Sequence, residues 1–277
     1  MTHGNIGQRV KDSLIGVMRG AGDVFGVTVQ ETQKATVAAL RGVGDVGAAA
    51  TGLVGEVVTG ALQAAGQAGG EVGSVAKGAV IGVVKGVGEV TTVTVGVVSD
   101  AVRAAIKGTS EVGGDVAEAS AGLAQSVASA TKETALGLED AAVGVARGAV
   151  IGAKEIGADL GATARSTVKG TIHGAQEVGG DVIQATRATA SGLVEATSEV
   201  GGDVAKVAQN AIVGAIQAAK TVGVNAEEAA SAAASGAMEA AQEVGESAVK
   251  AVSGVASGTI EGVKVVVKTP FKKESEG

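Results

Sequence analysis

The sequence predicts an all-α protein made of long amphipathic helices folded into antiparallel hairpins. Three observations predict it: a gap-free period of 22 residues, polar side chains recurring every three to four positions within each period, and Gly-Gly-Asp triplets that read as helix stops. Composition sets the material. The chain has 277 residues, 45% of them hydrophobic but only 1% aromatic, so its core must be built from Val, Ala and Ile.

The period defines the organisation. Residues 1–19 are read as a basic-leaning lead-in, 20–263 as the repeat region and 264–277 as a charged tail. Written in lines of 22 from Gly20, one column holds Val24, Val46, Ala68, Val90, Val112, Thr134, Ile156, Val178, Val200, Val222, Val244 and Val266. A fixed period over that length marks a repeat architecture, whose unit cannot bury its own apolar side. The column is read as part of an apolar face, carried by Val24, Val46, Val90, Val112, Ile156, Val178, Val200, Val222 and Val244.

Within the unit from Gly174, the polar residues Gln176, Glu177, Asp181, Gln184, Arg187, Ser191 and Glu195 step at helical spacing. The opposite arc carries Ala175, Val178, Val182, Ala185, Thr186, Thr189, Leu193 and Val194, which is the pattern of an amphipathic helix. Two elevens make 22, and at about 3.67 residues per turn an eleven-residue period keeps an apolar stripe nearly straight. Strand-like alternation occurs locally, in Val90-Thr-Thr-Val-Thr-Val-Gly-Val-Val98, and keeps a β-solenoid open as the alternative fold.

Forty-six glycines against the single proline Pro270 fit neither collagen nor an ordinary linker. Interior glycine costs about 1 kcal/mol relative to alanine, so a lone 22-residue helix of this composition is marginal and depends on what it packs against. Two placements recur. The triplets Gly113-Gly114-Asp115, Gly179-Gly180-Asp181 and Gly201-Gly202-Asp203 are the expected breaks, with glycine at the left-handed helix end and Asp capping the next helix. Small residues four apart, Gly78, Gly82 and Gly86, then Gly148 and Gly152, suit close helix–helix contact. In the tail, Lys264, Lys268, Phe271, Lys272 and Lys273 form a candidate tether to an anionic surface.

An eleven-residue helical pattern rich in Val, Ala, Thr and Gly, as in Val90–Val98 and in Gly148-Ala-Val-Ile-Gly-Ala-Lys-Glu-Ile156, resembles the amphipathic repeats of synucleins, perilipins, exchangeable apolipoproteins and group 3 late-embryogenesis-abundant proteins. The synuclein lysine consensus and the apolipoprotein prolines are missing. What the resemblance implies is reversible binding to lipid or another apolar interface, or protection during drying.

Motifs that look chemical have simpler explanations. Gly42-Val-Gly-Asp-Val-Gly47 matches a dinucleotide fingerprint, but related pentads recur in the same column at Gly20 and Gly86, so the repeat accounts for it and no cofactor is expected. His3 and His173 read as solvated side chains. The pairs Glu177/Asp181 and Glu199/Asp203 read as a solvated acidic stripe and not as a metal site. No cysteine is present to supply a thiolate or a disulfide.

A net charge of −7, with both signs interspersed and only Phe25 and Phe271 able to stack on bases, argues against nucleic acid. The longest uncharged run, Val57–Gly70, is shorter than the roughly 18 residues a membrane span needs. No signal-peptide or myristoylation pattern is read at the N-terminus, so a cytoplasmic protein, peripheral on a membrane or granule where it meets one, is expected. The functional expectation is a non-enzymatic protein that coats a lipid or other apolar surface through many weak helix contacts. A desiccation protectant and a self-packing helical assembly or filament are the alternatives, and self-association is among the expected partners.

Overall fold

The computed structural model describes residues 6–18, 23–42 and 46–267, the side chains of 46–51 excepted. Among these residues the chain forms twelve α-helices: α1 (Ile6–Met18), α2 (Val24–Arg41), α3 (Val46–Ala68), α4 (Val72–Val90), α5 (Val95–Glu111), α6 (Val116–Ala130), α7 (Leu138–Glu155), α8 (Leu160–Val178), α9 (Val182–Glu199), α10 (Val204–Val222), α11 (Ala226–Val244) and α12 (Glu246–Ser253). An antiparallel hairpin of β1 (Gly258–Ile260) and β2 (Val263–Val265) follows. The fold is therefore all-α. The β-solenoid alternative is not supported, because the strands among the described residues are those two alone. The alternating stretch 90–98 is the end of α4, a short connection and the first turn of α5.

One 22-residue unit is one helix and one turn: a 19-residue helix is about 28 Å long, and the remaining residues reverse the chain. The reversal is written in the sequence. Gly69, Gly113, Gly157, Gly179, Gly201 and Gly223 all take positive φ at helix ends. One residue further on, the backbone N–H returns to the carbonyl five residues back, as from Gly114 to Thr109 at 2.8 Å and from Gly180 to Ala175 at 2.9 Å. This is the Schellman arrangement, which needs a left-handed residue and so selects glycine. The next helix is then capped by a carboxylate or amide: Asp115, Asp159, Asp181, Asp203 and Asn225 each accept a backbone N–H from its first turn.

At two boundaries the glycine column holds Thr91 and Ala135 instead, and the chain turns differently. Thr91 adopts an extended conformation and Thr94 caps α5, while a single 3-10 turn, 131–133, precedes α7.

Short turns make consecutive helices antiparallel, as expected. Helices also stack two apart: α1, α3, α5, α7, α9 and α11 form one layer, and α2, α4, α6, α8 and α10 form the other. Alternation of direction makes the members of one layer parallel. The molecule is thus a two-layered α-solenoid, each row of which is a helical hairpin. Its interior is two apolar clusters that meet at α7: Val145 and Ala149 belong to the first, Ala146 and Val150 to the second. The core is Val, Ala, Ile and Leu with Met18 and Met238, and among the described residues no aromatic ring is buried in it.

The solenoid ends at α11 in a different structure. α12 packs on α11 and α10, and β2 packs on α11, where the Val266 N–H donates to Ser231 Oγ at 3.2 Å. These pieces occupy the places of the next two helices and bury Val252, Val263 and Val265.

Candidate functional site

The chemistry-bearing feature of this chain is the contact between helices two apart, which is built from a second column of the same period. Gly16, Ala38, Gly60, Gly82, Ala104, Ser126, Gly148, Gly170, Gly192, Gly214 and Gly236 stand 22 residues apart. From α3 onward, the glycines of this column lie where two backbones cross. A Cβ built on Gly214 would sit 2.6 Å from the Arg165 carbonyl oxygen, and one on Gly82 would sit 2.5 Å from that of Val29. On Gly170 it would lie 2.7 Å from the Ala121 carbonyl carbon, and on Gly236 2.9 Å from that of Arg187. No real side chain fits at such distances, so these positions admit glycine because the neighbouring helix occupies the side chain's volume.

The register proves the parallel stacking. Gly78, Gly82 and Gly86 of α4 face Thr28, Thr32 and Thr36 of α2 in ascending order. Gly144, Gly148 and Gly152 of α7 likewise climb α5 past Val98, Val102 and Ile106. The facing threonines are buried, and each hydroxyl donates back to a carbonyl four residues earlier, Thr32 to Thr28 at 2.6 Å and Thr36 to Thr32 at 2.8 Å. Their polar atoms are thereby satisfied inside an otherwise apolar contact.

Charged side chains tie the same rows together at the rim. Arg147 of α7 bonds Glu199 of α9 at 2.8 Å and approaches Glu195 at 3.6 Å. Arg187 of α9 makes a two-pronged pair with Glu239 of α11. Glu155 of α7 receives both Lys107, at 2.8 Å, and Arg103 of α5. Partial burial works to raise the Glu155 carboxyl, and the hydrogen bonds from Lys107 and Arg103 outweigh it, leaving the group below its ordinary value. Asp159 is held low by its bond to Lys206, with help from the Ala162 N–H that it caps. Asp100 is shifted up by burial against only partial compensation from Arg103.

The expected apolar column falls into two roles. Val24 and Val46 open α2 and α3, whereas Val90, Val178, Val222 and Val244 are last residues of their helices and Val112, Ile156 and Val200 sit at C-caps. The extra turn in α3 absorbs this change of register. Val24, Val90, Val112, Ile156, Val178, Val200 and Val222 are half-buried, and Val244 is exposed. The centre of the apolar face lies elsewhere, at residues such as Val168, Leu193, Ile212 and Ile216.

Gly113, Gly179 and Gly201 take positive φ, Gly114, Gly180 and Gly202 follow them, and Asp115, Asp181 and Asp203 cap the next helices. Of the carboxylate pairs, Glu177 is bonded by Gln125 and Glu199 by Arg147. His173 is half-buried on α8. Gly42 is the C-cap of α2 and Gly47 lies in α3, while 43–45 of that glycine motif lie outside the described residues. Lys264 is an exposed member of β2; Lys268, Phe271, Lys272 and Lys273, like His3, lie outside the described residues.

Reading the sequence missed most of the crossing column and the ion pairs between rows. Both carry a signal. The crossing glycines share the period at another phase, and Arg103/Glu155, Arg147/Glu199 and Arg187/Glu239 are each 52 residues apart, two units plus about two helical turns.

Open grooves flank α3. One of about 490 Å³ is lined by Gly52, Gly55 and Thr59 with Asp100, Arg103 and Lys107; another of about 400 Å³ is lined by Gln8, Glu56 and Gln63. Among the described residues no three His, Cys, Asp or Glu side chains gather as metal ligands do, and no helix is long and apolar enough to cross a membrane.

The fold and this contact define the chain as a helical repeat protein. Neither a known protein family nor a curated protein matches it. Among solved structures it is similar to the crystal structure of a de novo designed helical repeat protein, DHR7, at 19% identity over 70% of this chain and 94% of that one, with a TM-score of 0.34.

Proposed function

We propose that this chain is a non-enzymatic structural module, a self-packed helical rod whose apolar faces are spent on its own rows. One observation carries the reading: the face that would lie on a foreign surface is already covered, and among the described residues only Val17, Phe25, Val244 and Val266 remain as exposed large hydrophobics. A protein that lies on lipid keeps a continuous apolar stripe free for it. Here valine and alanine are fully withdrawn from water inside each row, with glycine removing the bulk that would hold rows apart. On this reading the pattern shared with the eleven-residue amphipathic families serves packing within the chain, and a cytoplasmic location is the matching assignment.

Circular dichroism in dilute buffer, then with neutral and with anionic vesicles, tests the proposal. A strongly helical spectrum, a cooperative melt and indifference to vesicles are expected. A coil that becomes helical on vesicles would replace it with the surface coat, and helicity gained only on drying would replace it with a protectant.

A further inference from the structure

We infer that the rods associate head to tail, the α1–α2 end of one copy seating on the capped end of a second. The argument starts from the crossing column. In later helices its glycines are covered by the helix two before; α1 and α2 have no such helix among the described residues. A Cβ on Gly16 would meet nothing within 4 Å, and Ala38 is exposed. The first hairpin therefore turns outward the very face with which the later helices pack, and that face is made to receive a neighbouring row. Between α1 and α2 it forms a groove of about 310 Å³ floored by Ile6, Val10, Ala35 and Ala39.

Charge and exposure select the occupant. In 6–18 and 23–42 four cations face three carboxylates, whereas in 226–267 six glutamates face two lysines. One end is mildly basic and the other acidic, the excess lying on α11 at Glu227, Glu228 and Glu243 while the cap itself is balanced and Glu239 is paired with Arg187, so opposite ends attract while two acidic ends repel. Val17 and Phe25 belong to the first hairpin, Val244 (42% exposed) ends α11 and Val266 (48%) belongs to the cap; among the described side chains no helix between them carries an exposed large hydrophobic. Odd-numbered helices all point one way, so the ends of α1 and α11, where Val17 and Val244 lie, are on the same edge of the rod. A copy placed after the cap thus continues both layers in their existing direction. Such a contact is heterologous and does not close on itself, so it yields chains of rods.

The inference rests on the rod being folded in solution, and circular dichroism of the same samples separates the two failures. The full chain should show an apparent mass in sedimentation that rises with concentration without an upper stop and falls as salt is added. Ala38→Glu spoils one end and Val266→Glu the other, both at exposed positions that leave the interior unchanged. Each variant alone should stay at the 26.4 kDa monomer, and an equal mixture should give a complex of twice that mass, because it holds one sound end of each kind. A helical wild type that is monomeric at every concentration overturns the inference and leaves the rod standing. Self-association of Val266→Glu alone overturns it in favour of pairing between two basic ends, and an equal mixture that stays monomeric overturns it as well. A coil spectrum overturns both readings.

Discussion

Glycine has two opposite energetic signs in this chain, and its neighbours decide which applies. In a helix it costs about 1 kcal/mol against alanine through backbone entropy. At Gly170 that cost is accepted because a methyl group would strike the Ala121 backbone; at Gly52, exposed and with nothing within 4 Å, it is not offset by any contact. Gly170→Ala should therefore destabilise the fold by about 1–3 kcal/mol as the rows are forced apart, and Gly52→Ala should stabilise it by up to about 1 kcal/mol. Urea unfolding followed by circular dichroism at 222 nm measures both; equal shifts of the midpoint in one direction would show that propensity alone governs glycine here. At Gly179, with φ of 69°, the demand is the backbone itself, and alanine there is strained whatever the space.

Elements were legible in the sequence where the signal is local. Asp181 and Asp203 after paired glycines marked helix boundaries because a left-handed residue and a cap act on their own neighbours. The break at Gly157, followed by Ala158 and Asp159, and that at Gly223, followed by Val224 and Asn225, lack the second glycine and were not singled out, though they use the same bonds. The stacking of helices two apart was not legible as topology, since a small residue such as Gly170 says only that something approaches closely and not which helix does. The carboxylates that tie rows together give the elements a pH dependence. Glu155 and Asp159 sit below their ordinary values, so the stability they lend is present above the unfolded carboxylate range and is lost as pH falls through their folded values. Asp100 has the reverse sign: its folded value is raised, so ionisation opposes folding at neutral pH and protonation relieves that. Asp100→Asn should raise the melting temperature at neutral pH and have no such benefit in acid, where the native carboxyl is already neutral. Thermal melts of both proteins across the carboxylate range decide it, and a benefit independent of pH would assign the effect to packing in the groove beside Gly52 and Gly55.

At the scale of the whole molecule, the layers impose a parity that the single 22-residue period does not reveal. From α3 to α11 each helix packs more closely on the one two before it than on the one just before, so the structural unit is a row of two helices, and only an excision of whole rows keeps every remaining helix in its own layer and direction. Residues 160–203 are such a row: they comprise α8, α9 and their turns, and removing them joins Asp159 to Val204. Asp159 already caps α8 as Asp203 caps α10, so the junction recreates a native cap. After the excision α10 would follow α7 and rest on α6, with Gly214 taking the place of Gly170 against Ala121, and α11 would rest on α7, with Gly236 taking the place of Gly192. Glycine at both crossings means that neither new contact meets a side chain. The Arg187–Glu239 pair and the bonds of Arg147 to Glu195 and Glu199 are lost, but they lie at the partly exposed rim, where ion pairs contribute little. The shortened chain should keep its helicity per residue and a cooperative melt, with a lower melting temperature because fewer rows bury less surface, and small-angle scattering should find the rod shorter by one helix spacing, about 8–10 Å. A broad, non-cooperative melt in the excised protein would instead show that each row is matched to its own neighbours by more than the crossing glycines.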